Sequence, residues 1–321
     1  MVAGNSGVVR SAAPGKVILL GEHAVVYGRT ALAASINRYV EVAVTGIRRA
    51  NVHNTVEARH TVPLRALERA AELTGLDPGS ITVTVAADLP ASVGLGSSAA
   101  LSVALIRALA KFAGQSLSDA VVCARAFEIE KIFHGFPSGI DNTVVTYGGL
   151  IAFRRDGTVK PLATAQPIPL VIALGRAPRE TQEAVRGLRE RWESSPALYE
   201  PLFDEIDRLV SEAQHAIAAG DLPTLGALMN ANHRLLQRLG ISTEELDEMV
   251  ALARDSGVSG AKLTGGGGGG AVICLCDADR ERLVESFTRA GWRAFVTDIV
   301  QRGVDRGDDA GRFEQRNFAS A

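Results

Sequence analysis

The chain has 321 residues, 46% hydrophobic and 22% charged, which is enough for one large or two ordinary globular domains. A net charge near −2 and an isoelectric point of about 6.3 give no electrostatic basis for binding nucleic acid or an anionic membrane. Three scattered cysteines argue against a disulfide framework or a zinc site. No apolar run is long enough to span a membrane and no signal segment opens the chain, so we expect a cytoplasmic protein.

The first half of the chain predicts a sheet covered by helices. Apolar patterning predicts strands at 17–20, 30–34, 39–46 and 81–85. It predicts helices at 64–73 and 117–133. Between them, a further helix is predicted from the end of a glycine-serine loop to residue 112. Residues 134–142 are expected to form a loop, and 143–147 to form a hairpin with 150–153 around Gly148 and Gly149.

The second half begins after a stretch, 156–169, in which periodicity lapses and prolines cluster. We therefore expect an N-terminal domain at 1–160 and a C-terminal domain at 161–300, followed by a charged, disordered tail at 301–321. Within the second domain, strands are predicted at 170–174, 271–276 and 292–300, and helices at 181–192, 197–218, 222–238, 243–256 and 279–290.

The glycine-serine loop indicates an anion site. Gly94 and Gly96 lack the Cβ atoms that would keep a phosphate away from the backbone, and Ser97 or Ser98 is suited to cap the helix that follows. The free amides and positive dipole at the start of a helix favour a bound phosphate.

Two better-known phosphate motifs do not explain this loop. The P-loop pattern is absent, because Gly15 and Lys16 are followed by Val17. The spacing of Gly94, Gly96 and Ala99 formally satisfies the dinucleotide fingerprint. However, a polar, proline-bearing stretch at 87–92 separates it from the preceding strand, which a Rossmann turn would follow directly.

Three segments together resemble a known family. PGKVILLGEHAVVYG at 14–28, PASVGLGSSAA at 90–100 and KLTGGGGGGAVICL at 262–275 are similar, in order and spacing, to the three signature motifs of the GHMP kinases. This family includes galactokinase, homoserine kinase, mevalonate kinase and phosphomevalonate kinase. GEHAVVYG at 21–28 and HGFPSGIDN at 134–142 are most similar to the mevalonate kinase subfamily.

The resemblance implies an α/β (α+β) fold of two domains with the active site in the cleft between them. The N-terminal domain would resemble domain 2 of ribosomal protein S5, and the C-terminal domain would be ferredoxin-like. The cofactors would be ATP and Mg²⁺. The implied ATP-binding residues are Pro90, Ala91, Ser92, Val93, Gly94, Leu95, Gly96, Ser97, Ser98, Ala99 and Ala100, with Gly266 and Gly267 of the third motif.

By the same resemblance, Asp141 and Lys16 are the catalytic residues. Asp141 would accept the proton of the acceptor hydroxyl, whereas Lys16 would lower the pKa of that hydroxyl and stabilise developing charge. The sequence leaves open which of these two effects is the larger. Without the resemblance, Asp141 would be interpreted as holding its own turn.

The resemblance also assigns the metal and acceptor sites. Ser98 and Glu130 are the implied Mg²⁺ ligands; Glu128 is the rival carboxylate, and the subfamily spacing to Asp141 selects Glu130. Glu22, His23 and Thr181 are implied to contact the acceptor, with Thr181 in a segment, 179–181, that is similar to the subfamily's Arg-Asn-Thr.

Six consecutive glycines at 265–270 lie between the third motif's lysine and a predicted buried strand, where close backbone approach to a nucleotide would explain them. The family usually has alanine at the position of Gly266. We expect a more flexible loop there, with weaker affinity for nucleotide.

The expected activity is phosphorylation of the C5 hydroxyl of (R)-mevalonate in isoprenoid biosynthesis, with mevalonate as the small-molecule partner and neither nucleic acid nor membrane. Dimers occur in the family, so a homodimer is also expected. The alternatives are another GHMP kinase activity (phosphomevalonate kinase, mevalonate 3-kinase or decarboxylase, or sugar kinase) and a non-catalytic sensor of ATP and a metabolite.

Overall fold

The structure is a computed structural model, and it describes residues 7–46, 62–135, 137–176 and 181–300. These residues fold into two antiparallel sheets with α-helices packed against them. None of the helices within these ranges is long and apolar enough to cross a membrane. The tail predicted at 301–321 lies outside the described residues.

The first sheet is centred on its second strand. Its strands are β1 (Val9–Leu20), β2 (Ala31–Gly46), β3 (Ile81–Ala87), β4 (Leu150–Phe153) and β5 (Val159–Leu162). β2 pairs with β1, β3 and β4, and β5 pairs with β4. Residues 31–34 and 39–46 are strand, as predicted, but they are not separate strands. They belong to one continuous β2, in which the polar residues Asn37 and Arg38 form a bulge.

Four α-helices form among the residues that the structure describes in the first half of the chain. They are α1 (Leu64–Thr74), α2 (Ser97–Phe112), α3 (Asp119–His134) and α4 (Ile140–Tyr147). α2 is at the centre of this layer, since it contacts β1, β2 and each of the other three helices. Its buried side chains are mostly small or aliphatic, as the helical period predicts.

The predicted hairpin of 143–147 with 150–153 is wrong, because residues 140–147 form α4. Gly139 adopts a left-handed φ of 89° just before this helix and turns the chain into it. The β-branched residues at 143–146 favour a strand locally. All residues of 140–146 except Asp141 are buried, however, and this tertiary packing overrides the local propensity.

The second sheet has the order β7-β8-β6-β9. Its strands are β6 (Leu170–Leu174), β7 (Gly260–Thr264), β8 (Ala271–Leu275) and β9 (Arg293–Thr297). Its helices are α5 (Thr181–Ser194), α6 (Pro196–Ala219), α7 (Leu222–Arg238), α8 (Glu244–Asp255) and α9 (Arg280–Arg289). A Cβ at Gly260 would lie 2.4 Å from the Gly226 carbonyl oxygen, so α7 lies against β7 at a distance that only glycine permits.

Hydrogen bonds join the two sheets. The Thr264 hydroxyl at the end of β7 accepts from the Ile18 amide of β1 at 2.9 Å and donates to the Ile18 carbonyl at 3.1 Å. The Val300 amide donates to the Ser35 carbonyl of β2 at 2.9 Å. The two Thr264 bonds hold the first motif beside the third. The domain limits at residues 160 and 300 stay a prediction.

Candidate active site

The glycine-serine loop leads into α2 through left-handed backbone. Gly94 and Gly96 have φ values of 88° and 75°, and Ser92 has a φ of 61°. Gly96 is the N-cap residue and no side chain caps the helix there, so the prediction that Ser97 or Ser98 caps it was wrong. Both serines are instead the first residues of the helix, which leaves the amides of its first turn available to an anion.

Lys16 of β1 runs beneath this loop. Its backbone amide donates to the Leu95 carbonyl at 2.8 Å, which ties the strand to the loop. A Cβ at Gly96 would lie 2.7 Å from Lys16 Cγ, so glycine is required for the lysine side chain to pass. The side chain is 3% exposed, and its Nζ lies 2.9 Å from Asp141 Oδ1.

Asp141 is in the first turn of α4, and its side chain is 34% exposed. Lys16 engages one of its oxygens, and Oδ2 has no hydrogen bond to any residue that the structure describes. The carboxylate can therefore accept a hydrogen bond from a hydroxyl in the cleft while it stays paired with the ammonium. We call Lys16 and Asp141 the cleft pair.

Glu130 of α3 is buried beside the start of α2. Its Oε2 accepts from the Ser98 hydroxyl and its Oε1 from the Ser102 hydroxyl, each at 3.0 Å. Burial, and then the negative charge of Asp141, raise the pKa of Glu130 to about 7. The rival Glu128 points to the surface, where its Oε1 accepts from Lys131 at 2.6 Å. The structure thus brings Glu130, not Glu128, to Ser98.

His134 also lies at this position, although nothing in the sequence analysis singled it out. Its Nε2 is 2.9 Å from Ser98 Oγ and 3.6 Å from Glu130 Oε2. The one sequence signal is that His134 follows Glu130 by four residues, since residues four apart on a helix share a face.

Glu22 is 1% exposed, and both of its carboxylate oxygens are engaged. Oε1 accepts from Lys262 Nζ in a short contact, and Oε2 accepts from Asn232 Nδ2 at 3.1 Å. Lys262 also donates to the Leu263 carbonyl at 2.6 Å. We call Glu22 and Lys262 the buried pair, because neither side chain has any exposed surface.

Burial acts on both members of the buried pair. It raises the pKa of Glu22 and lowers the pKa of Lys262, and their mutual attraction opposes both shifts. The pair joins the first motif to β7, and Asn232 adds a link from α7. Lys262 and Asn232 are the partners that the sequence analysis missed, since nothing local indicates that a lysine within a strand is fully buried.

His23 lies next to Glu22 with a left-handed φ of 60°. Its Nε2 is 3.1 Å from the Gly266 carbonyl oxygen, which places the first motif against the glycine run of the third.

The glycine run turns the chain from β7 into β8. A Cβ at Gly267, whose φ is 70°, would lie 2.1 Å from Ile241 Cγ2, and the Gly268 amide donates to the Ile241 carbonyl at 3.1 Å. Every glycine of the run except Gly266 has a positive φ. The run is therefore packed closely against the segment between α7 and α8.

Thr181 is the first residue of α5, but its side chain lies outside the described part of the structure, as do residues 177–180. The structure brings together Lys16, the loop, Ser98, Glu130 and Asp141 at one end of the first sheet's helical layer. It places Glu22, His23 and Gly266 in a second group at the junction with β7.

Comparison with known proteins gives consistent matches. The family model for the GHMP kinases N terminal domain matches residues 61–149, and that for the GHMP kinases C terminal region matches residues 213–293. A mevalonate kinase of Methanothermobacter thermautotrophicus is 35% identical over 303 residues, covering 92% of this chain and 98% of the relative. A mevalonate kinase of Aeropyrum pernix is 34% identical over 316 residues, covering 92% and 97%. The crystal structure of L. major mevalonate kinase in complex with R-mevalonate has a TM-score of 0.82 at 31% identity, covering 93% of this chain and 97% of that one.

Proposed function

We propose that this chain, which belongs to the GHMP kinase family and is an ATP-dependent phosphotransferase, phosphorylates the C5 hydroxyl of (R)-mevalonate. The products would be 5-phosphomevalonate and ADP. The observation that carries the proposal is the cleft pair, in which Lys16 Nζ lies 2.9 Å from Asp141 Oδ1 directly beneath the glycine-serine loop. The mevalonate kinase relatives support mevalonate as the acceptor.

In this mechanism the acceptor hydroxyl lies between the cleft pair and the γ-phosphate of ATP. Its proton passes to Asp141 while its oxygen forms a bond to the γ-phosphorus, and the bond from that phosphorus to the β,γ-bridging oxygen breaks to release ADP. The Lys16 ammonium stabilises the negative charge that develops on the attacking oxygen. The loop amides at the start of α2 hold the phosphates in position.

The residues beside the loop fit Mg²⁺. The described residues contain no group of three or more His, Cys, Asp or Glu side chains that could hold a metal ion. Mg²⁺ needs only one or two protein oxygens when phosphates supply others, and Ser98 Oγ and Glu130 Oε2 lie 3.0 Å apart. We propose that these two residues hold Mg²⁺, which would neutralise charge on the transferring phosphates when bound.

We infer that Glu22 is a positioning residue and does not bind mevalonate directly. Its two oxygens are already bonded to Lys262 and Asn232, so it has little capacity left for a substrate. Its neighbour His23 remains our candidate for contact with the acceptor, and Thr181 remains a prediction.

A panel of acceptors tests the proposal. Purified protein with ATP and Mg²⁺ is offered mevalonate, phosphomevalonate, homoserine and galactose, with ADP release measured by a coupled assay and the product identified by ³¹P NMR. We expect turnover of mevalonate to exceed that of the other three. No turnover of mevalonate, with turnover of another acceptor, would assign a different GHMP kinase activity; no turnover of any would favour a non-catalytic sensor.

Two further expectations stay predictions: a cytoplasmic location and a homodimer. The balanced charge supports a small-molecule substrate over nucleic acid or membrane as the partner. Sedimentation analysis of the purified chain tests the dimer directly.

A further inference from the structure

A cavity of about 540 Å³ lies at the opposite end of α2 from the glycine-serine loop. Lys111 near the end of α2 lines it, thirteen residues after Ser98 at the start of the helix. At 1.5 Å per residue these positions are about 20 Å apart. Neither the cleft pair nor Ser98 or Glu130 lines the cavity, so it is separate from the candidate active site.

Basic side chains dominate the charged groups that line this cavity. Arg10, Arg107 and Lys111 are the cations, and Asp119 is the carboxylate. Arg10 is paired with Glu41 of β2 at 2.9 Å. The Lys111 ammonium has no ion pair with any described residue, so a positive charge remains uncompensated at the cavity.

Arg107 is held in a defined orientation. Its Nη2 donates to Asp119 Oδ1 at 2.9 Å and to the Thr146 carbonyl at 3.0 Å. Its Nε and Nη1 make no hydrogen bond to a described residue, although the side chain is only 19% exposed. A guanidinium that is oriented by two bonds, with donors left over, is well suited to bind an oxyanion.

Thr146 provides a second, independent observation. It lines the cavity and is 4% exposed, and its hydroxyl has no hydrogen-bond partner. A buried hydroxyl without a partner is unfavourable by about 1–3 kcal/mol. A ligand oxygen that came within hydrogen-bond distance of this hydroxyl would provide the missing acceptor.

The remaining lining suits an organic body attached to the anion. It includes apolar side chains, among them Pro14, Leu117, Val122 and Val145. The volume is also within the range of about 300–1,000 Å³ that is common for small-molecule sites. We propose that this cavity binds a small organic anion, with a phosphate or carboxylate group at Lys111 and Arg107 and an apolar portion against these residues.

The location gives such a ligand a route to the active site. The cavity is lined by the beginning of β1 and by the ends of α2 and α4. The same three elements carry Lys16, Ser98 and Asp141. An occupant would therefore contact every element that holds the cleft pair.

The test is isothermal titration calorimetry with phenyl phosphate as the probe. The full chain is first saturated with Mg²⁺ and a non-hydrolysable ATP analogue, which fills the triphosphate site. Benzoate distinguishes a carboxylate from a phosphate, and neutral phenol controls for the apolar ring. We expect phenyl phosphate or benzoate to bind with a Kd at or below about 1 mM, and phenol to bind at least about tenfold more weakly.

Lys111→Gln is the informative variant, and Lys160→Gln is its matched control, because Lys160 is an exposed lysine on β5 away from the cavity. We expect Lys111→Gln to weaken binding of the anionic probe about 3- to 10-fold and Lys160→Gln to leave it unchanged. No binding by the wild type, or equal affinities in the two variants, would overturn the proposal. The readout needs no acceptor, so its outcome is independent of the mevalonate assignment.

Discussion

The cleft pair and the buried pair each join a lysine to a carboxylate, but their surroundings are very different. In the cleft pair the Lys16 side chain is 3% exposed and the Asp141 side chain 34% exposed. In the buried pair both side chains are 0% exposed, and Asn232 bonds the second oxygen of Glu22. The first pair leaves a carboxylate oxygen for a substrate, and the second leaves none.

This difference indicates that the cleft pair is suited to act on a substrate, whereas the buried pair is suited to hold parts of the fold in position. A carboxylate can accept a proton from a substrate only if one of its oxygens is accessible, and Asp141 is the carboxylate of the two pairs that has exposed surface. A fully buried ion pair contributes mainly by penalising any arrangement that separates its members, because an unpaired buried charge is very unfavourable. The buried pair therefore fixes the first motif against β7 and, with it, the position of His23.

The largest expected effect is that of Asp141→Asn in the cleft pair. We expect kcat with ATP and mevalonate to fall by about 10²–10⁴-fold, because an amide cannot accept the hydroxyl proton. The Kd for ATP should change little, since Asp141 does not belong to the phosphate loop. Steady-state kinetics and calorimetry measure the two quantities, and an unchanged kcat would require a different base.

The next effect concerns the buried pair. Lys262→Met should lower the free energy of unfolding by about 3–5 kcal/mol, because it leaves Glu22 buried without its partner. The double variant Glu22→Leu/Lys262→Met should recover most of this loss. Urea denaturation measures both variants.

The matched control for that experiment is Lys131→Met. Lys131 and Glu128 form an ion pair at 2.6 Å, but their side chains are 45% and 36% exposed. Its loss should lower stability by no more than about 1 kcal/mol. Equal losses for Lys131→Met and Lys262→Met would remove the distinction between surface and buried pairs.

A smaller effect is expected at the proposed metal ligand. Glu130→Gln should raise the Mg²⁺ concentration for half-maximal activity by about tenfold or more, since a neutral amide binds Mg²⁺ more weakly than a carboxylate. Glu128→Gln, on the same helix but at the surface, should shift it by less than about twofold. The initial rate is measured as a function of Mg²⁺ concentration. If only Glu128→Gln shifted the concentration for half-maximal activity, Glu128 and not Glu130 would be the metal ligand.

The smallest effect is expected in the glycine run. Gly266 is the member of the run without a positive φ, so Gly266→Ala should stabilise the fold by about 0.4–1 kcal/mol through a less flexible unfolded chain. Gly267→Ala should destabilise it, because its Cβ would lie 2.1 Å from Ile241 Cγ2. Thermal denaturation compares them, and a loss of stability in Gly266→Ala would contradict this reasoning.

The sequence predicted much of this arrangement. The helical period after the glycine-serine loop predicted α2. The first motif directed attention to Lys16, and the resemblance of 134–142 to the mevalonate kinase subfamily directed attention to Asp141 and, by its spacing, to Glu130. The structure brings these three residues together near Ser98. Local patterns succeed here because the period of apolar residues reports directly which face of an element is buried.

The rest depends on contacts between distant segments. Residues 143–147 of α4 were interpreted as a strand because their β-branched side chains favour one, and the burial of nearly the whole segment makes it a helix instead. β7 was missed because Lys262 interrupts its apolar pattern. The partner that permits a buried lysine, Glu22, is 240 residues away in sequence. No local signal could have identified that pair.

The most direct test of the account is a double-mutant cycle on the cleft pair, with kcat measured for Lys16→Met, Asp141→Asn and the combined variant. If the two residues act on one hydroxyl as a unit, each single change lowers kcat at least about 100-fold, and the double variant falls less than about tenfold below the slower single variant. If the fold-loss of kcat in the double variant equals the product of the two single fold-losses, Lys16 and Asp141 act independently, and the proposed mechanism is contradicted.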